Sequence, residues 1–291
     1  MNQRWLPYIL ILPAVAIVTG TLLLPCLNVV IMSVTEWYLY AQQRGVEGHP
    51  FVGLANYVAA FKGPVTWQAL RVTFVFVVAC VLIEVLGGLG AALLLNEEFQ
   101  GRGVARTLTL IPFAMPVVPW ALAWVVMLYY DGIINHLLMN LGIIKGTVPW
   151  LAHSNSALPA VIFARAFKLV PFVQVMFLAG LSAIPDELYE AATVDGASAW
   201  RRFLNVTIPL LKPVTLVTTL ILAVWHINDF AIVWVMTQGG PSNATELIVI
   251  NAYKVAFEAF RFGESSAIGV VLLVFSLLFG VLYLKATKAF E

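Results

Sequence analysis

Five ionisable side chains lie inside stretches of sequence that are otherwise almost wholly apolar. They are Glu84, Arg165, Lys168, His226 and Asp229. An ionisable group near the centre of a bilayer costs about 2.5–3.5 kcal/mol on insertion scales, so each of these residues calls for a named partner. The chemistry open to them is ion pairing, hydrogen bonding to a polar solute, or the carriage of protons.

The spacing of these residues places them on two helical faces. The first face has residues at i, i+3, i+4 and i+7, namely Arg165, Lys168, Leu169 and Phe172. The second face has His226 and Asp229 at i and i+3. At 1.5 Å per residue, Arg165 and Asp229 both lie roughly 10–12 Å below the outer ends of their spans. Matching depths predict a small hydrated cavity that holds a solute by hydrogen bonds and ring stacking.

The alternative interpretation is that these charges neutralise one another inside the protein. We then expect Arg165 to pair with Asp229, and Lys168 to pair with Glu84, because an unpaired buried charge is far more costly than a paired one. A metal site is not expected, since no second His or Cys lies within a turn of His226.

The elements that carry these residues are predicted to be transmembrane helices. The chain has 291 residues, 61% of them hydrophobic and 11% charged, which leaves too little polar surface for a soluble globule. A membrane-spanning helix needs about 20 apolar residues. Six stretches qualify, near 7–32, 71–95, 107–130, 157–181, 207–236 and 265–285. We predict an all-α integral membrane protein, one domain over 1–291, in contact with lipid; a net charge of +1 argues against nucleic-acid binding.

The basic residues near the span ends indicate an orientation. With the N-terminus inside, the inner segments hold Arg4, Arg102, Arg106, Arg201, Arg202, Lys212, Lys285 and Lys288. The outer segments hold Arg44, Lys62, Arg71, Lys145, Lys254 and Arg261. The inner loops are shorter and therefore more densely basic, so we expect both termini and the polar stretch 186–206 in the cytoplasm.

The polar stretch 186–206 reads as two short helices joined by a turn. Asp186 and Glu187 follow Pro185 and favour a new helix as first-turn acids. Asp195-Gly196 predicts a turn in which the glycine takes a positive φ. A second short helix over 197–206 would precede the fifth span. The two short helices could lie on the inner leaflet as an amphipathic hairpin, or they could be bound by a cytoplasmic partner.

The motif in this stretch has a recognisable spacing. Its residues are Glu190, Ala191, Ala192, Asp195, Gly196 and, after nine intervening residues, Val206-Thr207-Ile208-Pro209. This spacing resembles the EAA loop of permease subunits in ATP-binding-cassette (ABC) importers, with conservative departures at Val206 and Ile208. The segments 51–57 (FVGLANY) and 237–241 (TQGGP) are similar to segments of sugar permeases of the maltose-transporter type. The resemblance covers nearly the whole chain.

This resemblance implies a type I importer permease fold in a bacterial or archaeal inner membrane, with cytoplasmic coupling helices in 186–206. It implies a second permease subunit, two ATP-binding cassette subunits that bind the EAA loops, and an extracytoplasmic solute-binding protein. The chain contains no G-x-x-x-x-G-K-[ST] phosphate loop, so we expect it not to be an enzyme. ATP and Mg would be bound by the partner subunits, and the chain would need no cofactor of its own.

The resemblance also implies the solute contacts. In maltose-type permeases, positions just before a Pro-aromatic pair contact sugar, and the pair here is Pro171-Phe172. The corresponding stretch of the later helix runs from His226 to Phe230. The resulting set of expected solute contacts is Arg165, Lys168, Leu169, Phe172, His226 and Asp229. The implied cargo is a di- or oligosaccharide.

Two other functions are compatible with the residues taken alone. A glycerol-phosphate or polyol importer would suit Arg165 and Lys168 if their charges are not neutralised internally. An ion-coupled secondary transporter could use Glu84, His226 and Asp229 as proton carriers, but it would leave the loop 186–206 unexplained.

Overall fold

The computed structural model describes residues 6–37 and 48–288, and two residues of the charge count, Arg4 and Arg44, lie outside them. The contacts group the described residues into two compact units. One unit comprises the described parts of Met1–Trp67 with Ile248–Leu278, and the other comprises Gln68–Leu247 with the described part of Phe279–Glu291. The single domain expected over 1–291 stays a prediction.

The described chain is dominated by helices. In chain order they are α1 (Leu6–Val18), α2 (Leu24–Ser33), α3 (Ala55–Lys62), α4 (Pro64–Asn96), α5 (Arg102–Ala114), α6 (Val117–Met127), α7 (Ile133–Asn140), α8 (Ser154–Ser182), α9 (Asp186–Val194), α10 (Ala199–Arg202), α11 (Ile208–Ile227), α12 (Ala231–Thr237), α13 (Ile248–Phe257) and α14 (Phe262–Lys288). Two π-helical segments, Thr19–Leu23 and Phe203–Thr207, join α1 to α2 and α10 to α11.

Five of the resulting helical stretches in the described residues are long and apolar enough to cross a membrane. They are Leu10–Ser33, Pro64–Asn96, Ser154–Ser182, Ala199–Ile227 and Phe262–Tyr283. The third span, expected over 107–130, is instead the pair α5 and α6, bent by 94°. The bend falls at Met115, which has an extended ψ of 137° because the following Pro116 disfavours helical backbone there. Six spans result if this bent pair counts as one.

The fifth span also differs from the expectation of one helix over 207–236. Helix α11 ends at Ile227, residues 228–230 are not helical, and α12 begins at Ala231. We call residues 228–230 the break of the fifth span. At its other end, the short helix expected over 197–206 begins at Ala199 as α10, but it is not separate from the fifth span, because it continues through the π-helical segment Phe203–Thr207 into α11. Ile208 N donates to Phe203 O, five residues back. This wider turn gives room to the ring of Pro209, which would clash in a regular helix.

In the second unit, α8 is the central helix, and glycines let its neighbours approach. A Cβ at Gly88 of α4 would lie 2.5 Å from Val173 Cγ1 of α8. A Cβ at Gly180 of α8 would lie 2.8 Å from Leu211 Cδ2 of α11. Both α4 and α11 therefore pack closely against α8.

The motif at 51–57 closes the end of the first span in the first unit. Asn56 Nδ2 donates to Ser33 O at 3.0 Å and to Thr35 O at 2.9 Å. These are carbonyls that the end of a helix leaves without intrahelical partners. The Tyr57 hydroxyl lies 2.8 Å from Ser33 Oγ, so two residues of the motif bind the end of α2.

Candidate functional site

The break in the fifth span brings Asp229 into the interior of the second unit. α11 ends with Asn228 N donating to Trp225 O at 3.2 Å and Asp229 N donating to His226 O at 3.3 Å. The Asp229 side chain is buried and forms an ion pair with Arg165 of α8. The pairing expected from their matching depths is confirmed.

His226 continues this pair into a chain of four residues, of which Glu84, His226 and Asp229 are buried and Arg165 is nearly so. Its Nε2 lies 2.8 Å from Glu84 Oε2 of α4, and its Nδ1 lies 3.7 Å from Asp229 Oδ2. Phe76 packs edge-on to the imidazole, with 5.7 Å between ring centroids. We call Arg165, Asp229, His226 and Glu84 the buried charge chain. It joins α8, the break, the end of α11 and α4.

The expected pairing of Lys168 with Glu84 is wrong. Lys168 Nζ instead donates to the carbonyls of Pro112, at 3.0 Å, of Phe113, at 3.3 Å, and of Met115. The break before Pro116 leaves the last carbonyls of α5 without helical donors, and the negative end of a helix dipole favours a cation there. An ammonium has three donors, and these contacts use all three.

The other two expected contacts have different surroundings. Leu169 is 3% exposed and belongs to the apolar core of the second unit. Phe172 is partly exposed, and its ring centroid lies 5.7 Å from that of Phe113 and 5.1 Å from that of Trp225. Phe113 and Trp225 are 41% and 42% exposed. We call Phe113, Phe172 and Trp225 the aromatic surface.

Sequence reasoning missed two of the three rings of this surface. Phe113 lies just before the Met115-Pro116 bend, and Trp225 lies just before the break at 228–230. The X-Pro bond was the available signal for the first, because the residue before a proline is driven out of helical backbone. No comparable signal precedes the second break.

Cys80 was also missed as a neighbour of His226. Its Sγ, a Glu84 carboxylate oxygen and a His226 ring nitrogen all lie within 4.8 Å of one another. Thiol, carboxylate and imidazole are a donor set that zinc accepts. Cys80 lies in α4, far from His226 in sequence, so the spacing around His226 could not indicate it. Because the imidazole and the carboxylate are already hydrogen-bonded to each other, a site without metal stays our prediction.

The turn expected at Asp195-Gly196 is confirmed. Gly196 has a φ of +77°. Its N–H donates to Thr193 O at 3.0 Å, and Ala197 N donates to Ala192 O at 2.9 Å. These two hydrogen bonds form the motif by which a left-handed glycine ends a helix, and they satisfy the last carbonyls of α9.

Residues 84–290 match the family described as the binding-protein-dependent transport system inner membrane component. The chain belongs to this family. The matched range includes the whole buried charge chain and the loop 186–206. The permease is therefore a multi-pass inner-membrane subunit of a transport system and not itself an enzyme.

Individual relatives span the full length of the permease. A probable ABC transporter permease protein of Brucella suis is 36% identical over 292 residues, covering 100% of this chain and 99% of that one. The trehalose/maltose transport system permease protein MalF of Thermococcus litoralis is 37% identical over 289 residues, covering 99% and 95%. A crystallised bacterial ABC transporter involved in the import of the acidic polysaccharide alginate matches with a TM-score of 0.85 at 21% identity, covering 99% and 96%. The type I importer permease fold is thus confirmed.

The loop 186–206 of the permease combines a fixed backbone with exposed side chains. The Tyr189 hydroxyl lies 3.0 Å from Thr207 Oγ1, and Arg202 Nη1 donates to Thr193 Oγ1 at 2.8 Å. Glu190, Ala191, Asp195 and Gly196 are exposed, and Ala192 is half-buried. Val194 and Trp200 are 88% and 66% exposed.

Proposed function

We propose that the permease forms one half of the membrane pathway of an ATP-driven importer for a di- or oligosaccharide. A second permease subunit completes the pathway, and an extracytoplasmic binding protein delivers the sugar. The observation that carries the proposal is the aromatic surface, which lies where two broken spans meet α8. The Thermococcus litoralis relative, named for trehalose and maltose, supports the same class of cargo.

The aromatic surface has the chemistry that a sugar needs. Rings such as Phe172 and Trp225 can stack on the C–H faces of a pyranose, and neighbouring amides can bind its hydroxyl groups. Asn228 is exposed in the break three residues after Trp225 and supplies such an amide. We assign direct contact first to Phe172. Of the other expected contacts, the Arg165 side chain is only 11% exposed, and the rest are buried, namely Lys168, Leu169, His226 and Asp229.

The charges near this surface favour a neutral cargo over a glycerol phosphate. A phosphate group is bound by cations free to donate to it. Arg165 is paired with Asp229, and Lys168 donates to three carbonyls. The chain belongs to a binding-protein-dependent transport family, so transport does not require Glu84, His226 and Asp229 to carry protons.

We further propose that the loop 186–206 lies in the cytoplasm and docks on a partner ATPase. Two such subunits bind ATP and Mg and drive the cycle. The docking residues are Glu190, Ala191, Ala192, Asp195 and Gly196. Two features support this role. Val194 and Trp200 beside these residues are large, apolar and exposed. Side-chain hydrogen bonds hold the loop that carries them. Both termini then also lie in the cytoplasm.

The test is ATP hydrolysis by the complex that co-purifies with the tagged permease, reconstituted with its binding protein in nanodiscs. Trehalose, maltose, lactose and glycerol 3-phosphate are supplied in turn. We expect hydrolysis to rise with at least one sugar and not with glycerol 3-phosphate. Stimulation by the phosphate without stimulation by any sugar would overturn the sugar proposal.

A further inference from the structure

Two cations of one unbroken helix reach the breaks of two different spans. Arg165 and Lys168 lie three residues apart on α8 and therefore on one face. Lys168 binds the end of α5, at the bend of the third span. Arg165 binds Asp229, in the break of the fifth span. Both breaks are thus tied to a single rigid element.

The contact made by Lys168 restrains the direction in which α5 ends. Its ammonium group gathers three carbonyls that no helical N–H can reach after the bend. The Trp120 ring of α6, beyond the bend, lies 5.6 Å from the same nitrogen. One side chain of α8 therefore contacts both arms of the bent span.

The contact made by Arg165 restrains the end of α11 through the buried charge chain. Each nitrogen of His226 faces a carboxylate oxygen, of Glu84 on one side and of Asp229 on the other. An ionised carboxylate only accepts hydrogen bonds, so Nε2 donates to Glu84 when that acid is ionised. Basic and acidic residues alternate along the chain, which suits its burial.

Each restrained segment carries one ring of the aromatic surface. Phe113 accepts a hydrogen bond from Lys168 at its carbonyl and places its ring against Phe172. Trp225 directly precedes His226 and also places its ring against Phe172. We propose that Arg165 and Lys168 are positioning residues of transport, which hold the two breaks so that Phe113 and Trp225 meet Phe172. The sugar part of this inference rests on the proposed function.

The first test measures the bend directly. Spin labels at Leu108→Cys of α5 and Leu122→Cys of α6, which are 57% and 51% exposed, report the distance across the bend by pulsed electron resonance in the assembled complex. The native Cys26 and Cys80 are replaced beforehand. We expect Lys168→Met to broaden or shift the distance distribution, because it keeps an unbranched side chain only one atom shorter and removes the donors.

Conservative variants keep this test decisive. Lys168→Arg retains donors for the carbonyls, and we expect it to preserve the wild-type distribution. If Lys168→Met does not assemble, Lys168→Gln takes its place, and we expect partial broadening because only two donors remain. If Lys168→Met shows the wild-type distance distribution, Lys168 does not hold the bend. The same result in Lys168→Gln, when that is the variant measured, would lead to the same conclusion.

The second test asks whether Lys168 acts through Phe113. Lys168→Met and Phe113→Ala are combined in a double-mutant cycle read out as the rate of sugar transport. We expect Lys168→Met to slow transport about tenfold alone and much less in the Phe113→Ala background, because the ring that Lys168 would position is already absent there. The exposed Lys145→Met is the control and should be additive with Phe113→Ala. Full additivity for Lys168 would contradict the positioning role.

The two tests separate the inference from the proposed function. If no sugar stimulates the wild-type complex, the sugar proposal fails, while the spin-label distances still decide whether Lys168 holds the bend. If sugar is transported and Lys168→Met leaves the spin-label distances unchanged, only the positioning role of Lys168 is wrong.

Discussion

Arg165 and Asp229 form an ion pair that joins the centre of α8 to the break between α11 and α12. The pair is buried, with side-chain exposures of 11% and 6%. A backbone break inside a membrane span leaves polar groups that must be satisfied within the protein. The structure meets this requirement with charged side chains from a neighbouring helix at the break of the fifth span, as it does with Lys168 at the bend of the third.

Breaking this pair should destabilise the permease. Asp229→Asn leaves a buried guanidinium without its counter-charge, and removing one partner of a buried pair costs about 3–5 kcal/mol. Adding Arg165→Gln should restore part of the loss, because neither charge is then left alone. Thermal unfolding of the purified complex in detergent measures both. Strictly additive losses would show that the pair contributes no coupling energy.

Replacing Gly196 should weaken the docking of the loop 186–206 on the partner ATPase, and it should do so only through the backbone conformation of the loop. Gly196→Val forces a branched residue into left-handed backbone, at a cost of roughly 1–2 kcal/mol or more, and so lowers the population of the docked turn about 5- to 30-fold. Gly196→Asn is the matched control, since Asn tolerates this region. A Cβ here meets no atom within 4 Å, so crowding within the chain cannot explain a difference. Sugar-stimulated ATP hydrolysis is the readout, and equal activity of both variants would contradict the prediction.

Gly88 should resist enlargement while Gly90 accepts it. Gly88→Ala places a Cβ 2.5 Å from Val173 Cγ1 and 3.0 Å from the backbone nitrogen of Gln174, so α4 and α8 must separate. Overpacking of this kind costs about 1–3 kcal/mol. Gly90→Ala meets nothing within 4 Å. The measurement is the unfolding midpoint of the isolated permease in detergent, where only Gly88→Ala should fall.

Phe172 should matter for transport more than for assembly. Phe172→Ala removes the ring that joins Phe113 and Trp225, and we expect sugar transport to slow about tenfold while the yield of complex is retained. Phe163→Ala on the same helix is the control, because its ring contacts Trp124 and none of the aromatic surface. Uptake of labelled sugar into proteoliposomes compares the two. Equal transport by both variants would remove Phe172 from the sugar pathway.

The sequence by itself determined the broad features of this protein. Length and apolar content required a membrane protein, because lipid is the only solvent that tolerates so much apolar surface. The spacing from Glu190 to Pro209 indicated the family, and Asp195-Gly196 indicated the turn, since both depend on residues close in sequence. The Arg165–Asp229 pair followed from depth, which a regular rise per residue fixes along each helix.

Tertiary structure decided what depends on breaks and on neighbouring helices. Lys168 was expected to bind Glu84 and instead binds carbonyls at the end of α5, because the bend at Met115 creates acceptors that a straight helix would not offer. Glu84 instead lies within hydrogen-bond distance of His226, an arrangement which required α4 and α11 to pack next to each other. Helical spacing fixes the face on which a residue lies, but the packing of the helices fixes which groups meet there.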